Sequence, residues 1–369
     1  MKQKVLFIIH CPPPIHGAAL LGKFIYDSEV INTSFNTKYI YLGTTKNFKE
    51  RKKVTLRKLG HFFSLITKCF ITNLTFRPQI VYLSLTSNGM GFYKDALIVM
   101  LLKLSGAKIV FHLHNKGVKR NQHKFLDDKL YKIVFKNTIV VHGAKWLYED
   151  IQKYVPEDKV YYCHNGIPKP EFSIKERVLN QDESPQIMFL SNLIESKGVY
   201  TVLYACDVLN KKGIQFKCVY VGSEGDIKAS ELQNKIKELG LEDKVTYAGK
   251  KYNKEKHLAF EQADIFAFPT HYPNEVFPLV LLEAMQYSLP TVSTPEGGVR
   301  DIIDDGVTGF IIEQKNHNQL AAKLEYLIKN PEERLQMGLA GRKKYERAFT
   351  VNTYENRIKT IINRVLIKD

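Results

Sequence analysis

Short runs of aliphatic and β-branched residues recur along the chain, each bounded by turn residues and followed by a stretch long enough for a helix. The first half holds Val5–His10, Ile80–Ser84, Lys108–Leu113, Thr138–His142 and Val160–Cys163. The second half repeats the rhythm with Ile187–Ser191, Phe216–Gly222, Lys244–Ala248, Asp264–Phe268, Pro290–Ser293 and Thr308–Ile312. Strands alternating with helices imply parallel sheets covered on both faces, and two such series predict an α/β chain of two Rossmann-like, doubly wound domains. The turn-rich Asn165-Gly-Ile-Pro-Lys-Pro170 and the polar stretch after it mark the link. The expected domains are therefore 1–168 and 169–350. A last helical pattern, Val351 to Leu366 within 351–369, is expected to pack back on the first domain. Ligands of doubly wound sheets bind beyond the carboxyl ends of the strands, so the site is expected in a cleft between the domains.

Length supports this division, since 369 residues exceed what one hydrophobic core usually holds. The five cysteines are scattered and never in CxxC spacing, which argues against a disulfide framework or a structural zinc site and for a reducing compartment. The apolar run Val5–Ile9 ends at His10-Cys11-Pro12, too short for a secretory leader. The most apolar long segment, Leu59 to Phe76, contains His61 and Lys68, so no spanning helix is expected.

Charge changes the picture more than composition does. Residues 1–170 hold 27 Lys and Arg against 10 Asp and Glu, a net of +17, whereas 171–369 come to −1. A basic surface confined to one domain implies an anionic partner there. The segment Lys46 to Arg77 places nine basic residues beside apolar ones at helical spacing, a pattern suited to an anionic membrane surface. A core-facing helix with a solvated basic face would read the same way. No nucleic-acid-binding signature is present.

Candidate chemistry concentrates in His271-Tyr-Pro-Asn-Glu275-Val-Phe-Pro-Leu-Val-Leu-Leu-Glu283. Asn274 and Pro278 resemble helix-start signals, which would aim the amides of Leu279 and Val280 at a ligand; a helix start can hold a diphosphate. Glu283, on that helix, is placed to accept ribose hydroxyls. Surface carboxylates are the plain alternative, but the neighbours are apolar. His112 and His114 lie two apart at a strand end and face one side. They show no obvious third metal ligand.

At Glu275-x7-Glu283 the sequence resembles the family 4 retaining glycosyltransferases of the GT-B fold, of the bacterial surface-polysaccharide type, and the likeness runs over essentially the whole chain. The resemblance implies that Glu275 contacts the transferred sugar, Glu283 the donor ribose, and Leu279 and Val280 the diphosphate. Pro278 stands where glycine is commoner. Lys197-Gly198 fits the element that neutralises the leaving diphosphate, and Asn192 stands where arginine is usual. His114-Asn115 falls on a His-Asp pair beside the donor sugar. His16-Gly17 falls on a glycine-rich loop near diphosphate or acceptor, so His16, His112 and Asn115 become acceptor-side candidates. The implied activity is metal-independent, cofactor-free transfer from a nucleoside-diphosphate sugar, UDP-sugar before GDP-sugar, to a lipid-linked saccharide at the cytoplasmic face of the membrane. A sugar-nucleotide epimerase of the same shape, or a non-catalytic scaffold on lipid, are the rival readings.

Overall fold

The structure, a computed structural model, describes residues 2–14, 16–43, 56–179 and 184–367, with the side chains of 56–59 left out. The chain divides into two compact units: Met1–Gly166 together with Val351–Asp369, and Ile167–Thr350.

The first unit is built on six parallel strands in the order β2-β1-β3-β4-β5-β6: β1 (Lys4–Ile9), β2 (Asn36–Tyr41), β3 (Ile80–Leu85), β4 (Lys108–Leu113), β5 (Ile139–His142) and β6 (Val160–Tyr162). The central strands β1, β3 and β4 are largely apolar because each face meets a core. In β1, Leu6 and Ile8 join one cluster while Val5, Phe7 and Ile9 join the other. Burying a side chain of this size is worth roughly 1.5–3 kcal/mol, so β1 alone anchors both layers. One face is covered by α1 (Gly17–Asp27); the other by α2 (Leu56–Phe76), α3 (Gly89–Leu102) and α4 (Phe125–Phe135). Strand β2 had no counterpart among the expected runs.

The second unit holds β7 (Gln186–Leu190), β8 (Lys217–Val221), β9 (Val245–Tyr247), β10 (Ile265–Phe268), β11 (Thr291–Ser293) and β12 (Gly309–Ile311) in the order β12-β11-β10-β7-β8-β9. The helices that matter for the site are α5 (Val199–Lys211), α6 (Asn253–Gln262) and α7 (Leu279–Gln286). All connections are crossovers between parallel strands. The chain runs outward from β7 to β9, then returns to pair β10 on the other side of β7. The strand order therefore reverses between β7 and β10, the place where doubly wound sheets hold ligands at their carboxyl ends.

The final helix, α8 (Val351–Ile367), belongs to the first unit: Tyr354, Ile358, Ile362 and Val365 are buried with Phe7 and Tyr82. A bridge between Ile167 and Thr350, with the Ile167 amide donating to Phe349 O at 2.9 Å, sets the two crossings between units side by side. Among the described residues no helix is long and apolar enough to cross a membrane.

Candidate active site

In the second unit the strand order brings together residues far apart in sequence. Lys197 follows β7 and Glu275 follows β10, the two strands at which the order reverses. Their side chains form an ion pair, Lys197 Nζ to Glu275 Oε2 at 2.5 Å, with 16% and 11% of the side chains exposed. The ammonium also lies 4.4 Å from the centre of the Tyr272 ring. Both loops are held from behind. Lys197 ends a single helical turn, Glu195–Lys197, whose Ser196 carbonyl accepts the His271 amide at 2.7 Å. The next residue, Gly198, has φ +94, and a Cβ there would sit 2.5 Å from Pro269 O, so only glycine lets the turn lie this close to the β10 loop.

Helix α7 begins at Leu279, with Pro278 as its N-cap and the Leu281 amide donating to Pro278 O at 3.2 Å. Leu279 and Val280 thus supply the first helical amides, which have no intrahelical acceptor. Asn274 lies outside the helix and its side chain reaches Tyr272 instead, so the expected start signal there is carried by Pro278 alone. Glu283 accepts from Lys256 Nζ of α6 at 2.7 Å through Oε1, while Oε2 is buried without a hydrogen-bond partner. A buried carboxylate oxygen left open is a ready acceptor for a ligand hydroxyl. Asn192 is exposed beyond β7 and offers no positive charge.

Three further residues shape this site. Lys256 orients Glu283, and nothing local in α6 signals it. His271 has a buried, unpartnered Nδ1, and burial followed by the nearby Lys315 charge holds its pKa below the usual value. Gly297, which reads as simple turn chemistry, has φ +60, and a Cβ on it would meet the carbonyl oxygens of Glu275 and Val276 at 2.7 and 2.8 Å. It is the backing of the Glu275 loop.

The first unit collects histidines where β1, β4 and β5 end. His16 caps α1, its Nδ1 accepting from the Ala19 amide at 3.4 Å, and packs edge-on to His10. Gly17 opens that helix with no positive φ. His114 Nε2 and His142 Nε2 are buried without partners. Burial first, then neighbouring histidines for His114 and Lys116 for His142, push both pKa values down to about 3. Both are neutral hydrogen-bonding groups near pH 7. His142 Nδ1 accepts the Gly143 amide at 3.0 Å, which leaves the hydrogen on Nε2.

Two acceptor-side candidates also have structural ties. His112 shares a side with His114, its ring 4.1 Å away, but is wholly buried and bonded through Nδ1 to the Tyr82 hydroxyl; it braces His114 from the core. Asn115 uses Oδ1 to accept the Ser87 amide at 3.0 Å, tying the β4 loop to the β3 loop. The Lys46–Lys58 cluster lies outside the described residues and side chains. Among the described residues no group of three or more His, Cys, Asp or Glu is arranged to hold a metal.

Two Rossmann-like units in these strand orders make this a GT-B fold. A similar solved structure is that of Anabaena Alr3699/HepE in complex with UDP and glucose, with a TM-score of 0.70 at 16% identity over 98% of this chain and 99% of that one. Residues 171–344 match the family model described as glycosyl transferases group 1. The amylovoran biosynthesis glycosyltransferase AmsK of Erwinia amylovora is 28% identical over 271 residues, 72% of this chain and 66% of that protein. The capsular polysaccharide biosynthesis glycosyltransferase CapM of Staphylococcus aureus is 26% identical over 211 residues, 55% of this chain and 53% of that protein. The chain thus spans between half and two thirds of the length of these two curated relatives. The family match lies within the Ile167–Thr350 unit, so the likeness to glycosyltransferases rests mainly on that unit.

Proposed function

We propose that the chain transfers a sugar from a nucleoside-diphosphate sugar to a lipid-linked saccharide, with retention of configuration, in the synthesis of a surface polysaccharide. The observation that carries this reading is the Lys197–Glu275 pair at the strand-order reversal of a matched glycosyltransferase domain. UDP-sugar is the favoured donor, supported by the UDP and glucose of the HepE complex, with GDP-sugar the other candidate.

In this mechanism the amides of Leu279 and Val280 and the Lys197 ammonium take the charge that grows on the diphosphate as the glycosidic bond breaks. Glu275 holds hydroxyls of the transferred sugar. Glu283 Oε2 accepts a ribose hydroxyl. His114, neutral at the working pH, receives a hydrogen bond from the sugar or acceptor, and His16 lines the same end of the first sheet. The acceptor hydroxyl attacks the face from which the diphosphate departs, and a diphosphate oxygen takes its proton, so no protein nucleophile is required. The transfer runs without a resident metal, at the cytoplasmic face of the membrane. Chelator should leave turnover unchanged.

The test is incubation with UDP- and GDP-sugars with and without lipid-linked acceptor. Acceptor-dependent release of nucleotide supports the proposal. An epimerised donor without acceptor would show the epimerase reading, and no reaction with any donor or acceptor would leave a scaffold.

A further inference from the structure

Helix α3 has an unusual surface for its place in the fold. It touches α2 on one side and α4 on the other, so it is the middle helix of its layer. Its sequence, GMGFYKDALIVMLL, is apolar around almost the whole circumference. Of its two charges, Asp95 is buried, its carboxylate accepting the Thr86 amide at 2.9 Å. Yet Met90, Leu97 and Leu104, seven residues apart along α3 and the turn after it, all point to solvent. They are joined by Phe63, Ile71 and Leu74 on α2 and by Phe125, Leu126 and Ile133 on α4. These nine side chains are between 46% and 74% exposed. A helix apolar on every side is expected in a core or against lipid, and scattered surface leucines do not line up on three neighbouring helices.

Lysines dominate the exposed charge of this layer. Lys68, Lys94, Lys124, Lys129, Lys132 and Lys136 lie among the apolar residues, with Lys129 Nζ 4.1 Å from the centre of the Phe125 ring. Helix α2 carries no acid. On α4, Asp127 is buried and Asp128 is taken up by Lys132 and Lys153, each at 2.6 Å. Pairing with a second copy through this face would set lysine against lysine. An anionic bilayer satisfies both halves of the pattern: lysines meet headgroup phosphates while the apolar side chains enter the headgroup boundary.

We propose that the α2–α3–α4 layer of the first unit is a docking face for an anionic phospholipid surface, with the outer stripe of α3 at its centre. This moves the contact beyond the Lys46–Arg77 segment that the sequence singles out, onto two further helices. It rests on the transferase reading only for its purpose, which is to bring a lipid-linked acceptor to the enzyme.

The experiment is sedimentation of the full chain with phosphatidylglycerol-containing vesicles and with pure phosphatidylcholine vesicles. The parent should follow the anionic vesicles. The substitutions Met90→Ser, Leu97→Ser and Leu104→Ser together should lower partitioning about a hundredfold, since each removes apolar area that would otherwise leave water. Replacing Lys124, Lys129, Lys132 and Lys136 with Gln should remove the preference for anionic lipid. Stabilisation by UDP, read as a thermal shift, should be the same in all of them. If the serine variant partitions like the parent, the proposal fails. It also fails if the parent ignores vesicles but forms an oligomer that the serine variant breaks, for the face is then a protein interface. A parent that sediments yet neither responds to UDP nor transfers sugar would keep the docking face and overturn the enzymatic reading.

Discussion

Replacing Lys197 with Met tests the centre of the site, because the structure fixes what its loss leaves behind. At 2.5 Å the Lys197–Glu275 attraction is about 7 kcal/mol at an effective dielectric near 20. Desolvating the two ions offsets most of that, so the pair adds little net stability. Removing one partner is different. The Glu275 carboxylate stays buried without its cation, which typically costs about 3–5 kcal/mol. Lys197→Met should therefore lower the melting temperature by roughly 6–20 °C in a unit of this size. Glu275→Gln should cost less, about 1–2 kcal/mol, because the amide oxygen still accepts from the ammonium. The double variant Lys197→Met, Glu275→Leu should melt closer to the parent than Lys197→Met does. Thermal melts of the full chain, with and without UDP, measure stability and donor response together. Turnover of Lys197→Met should fall by the equivalent of about 2.7–4 kcal/mol. A Lys197→Met protein as stable as the parent, with a double variant no better, would refute the claim that this pair is buried and mutually dependent.

Glu283→Ala should raise KM for the donor far more than it lowers kcat, since a ribose contact acts alike in ground and transition states; steady-state kinetics checks this. Gly297→Ala must fit a Cβ against the carbonyls of Glu275 and Val276 at φ +60. It should cost at least about 1–2 kcal/mol by denaturant titration and lower kcat with it. His114 and His142, with folded pKa values near 3, bind fewer protons than in the unfolded chain, where the value is about 6.5. Their stabilisation is complete above pH 6.5 and is lost as pH falls toward 3, at up to about 1.4 kcal/mol per unit for each histidine. His142→Gln should flatten the fall of melting temperature between pH 6.5 and 5.

The sequence reading succeeded where local chemistry decides and failed where the partner is remote. All eleven runs expected as strands are strands: the central ones because a strand buried on both faces has to be apolar along its length, and the edge strands β6, β9 and β12 because β-branched or aromatic residues between turn signals still mark them. Strand β2 was missed because it opens on three polar residues, Asn36-Thr-Lys38, and buries only Ile40 fully. His112 read as a ligand because period-two spacing puts it on the side of His114. The spacing cannot tell that Tyr82 of β3 and Tyr354 of α8 close over it. Lys256 was invisible for the same reason, as the carboxylate it holds lies 27 residues away on another helix. Gly297 is a third case of this kind, since the close approach it permits depends on the carbonyls of Glu275 and Val276 behind it.

The two departures from the resemblance, Asn192 for arginine and Pro278 for glycine, now have physical meaning. Proline at the N-cap of α7 fixes φ at −69 and leaves its carbonyl to accept the Leu281 amide, so the amides of Leu279 and Val280 are untouched by it. The missing arginine is not made good in the same way. Lys197 is paired with Glu275, so that pair carries no net charge before a donor arrives. On the proposed reading, a diphosphate competes with Glu275 for one ammonium, and the carboxylate it releases becomes available to the sugar. Charge capture by Lys197 and sugar capture by Glu275 are then one event. That coupling favours a ligand carrying both groups over a nucleotide alone, which a second cation at 192 would hold on charge without the sugar.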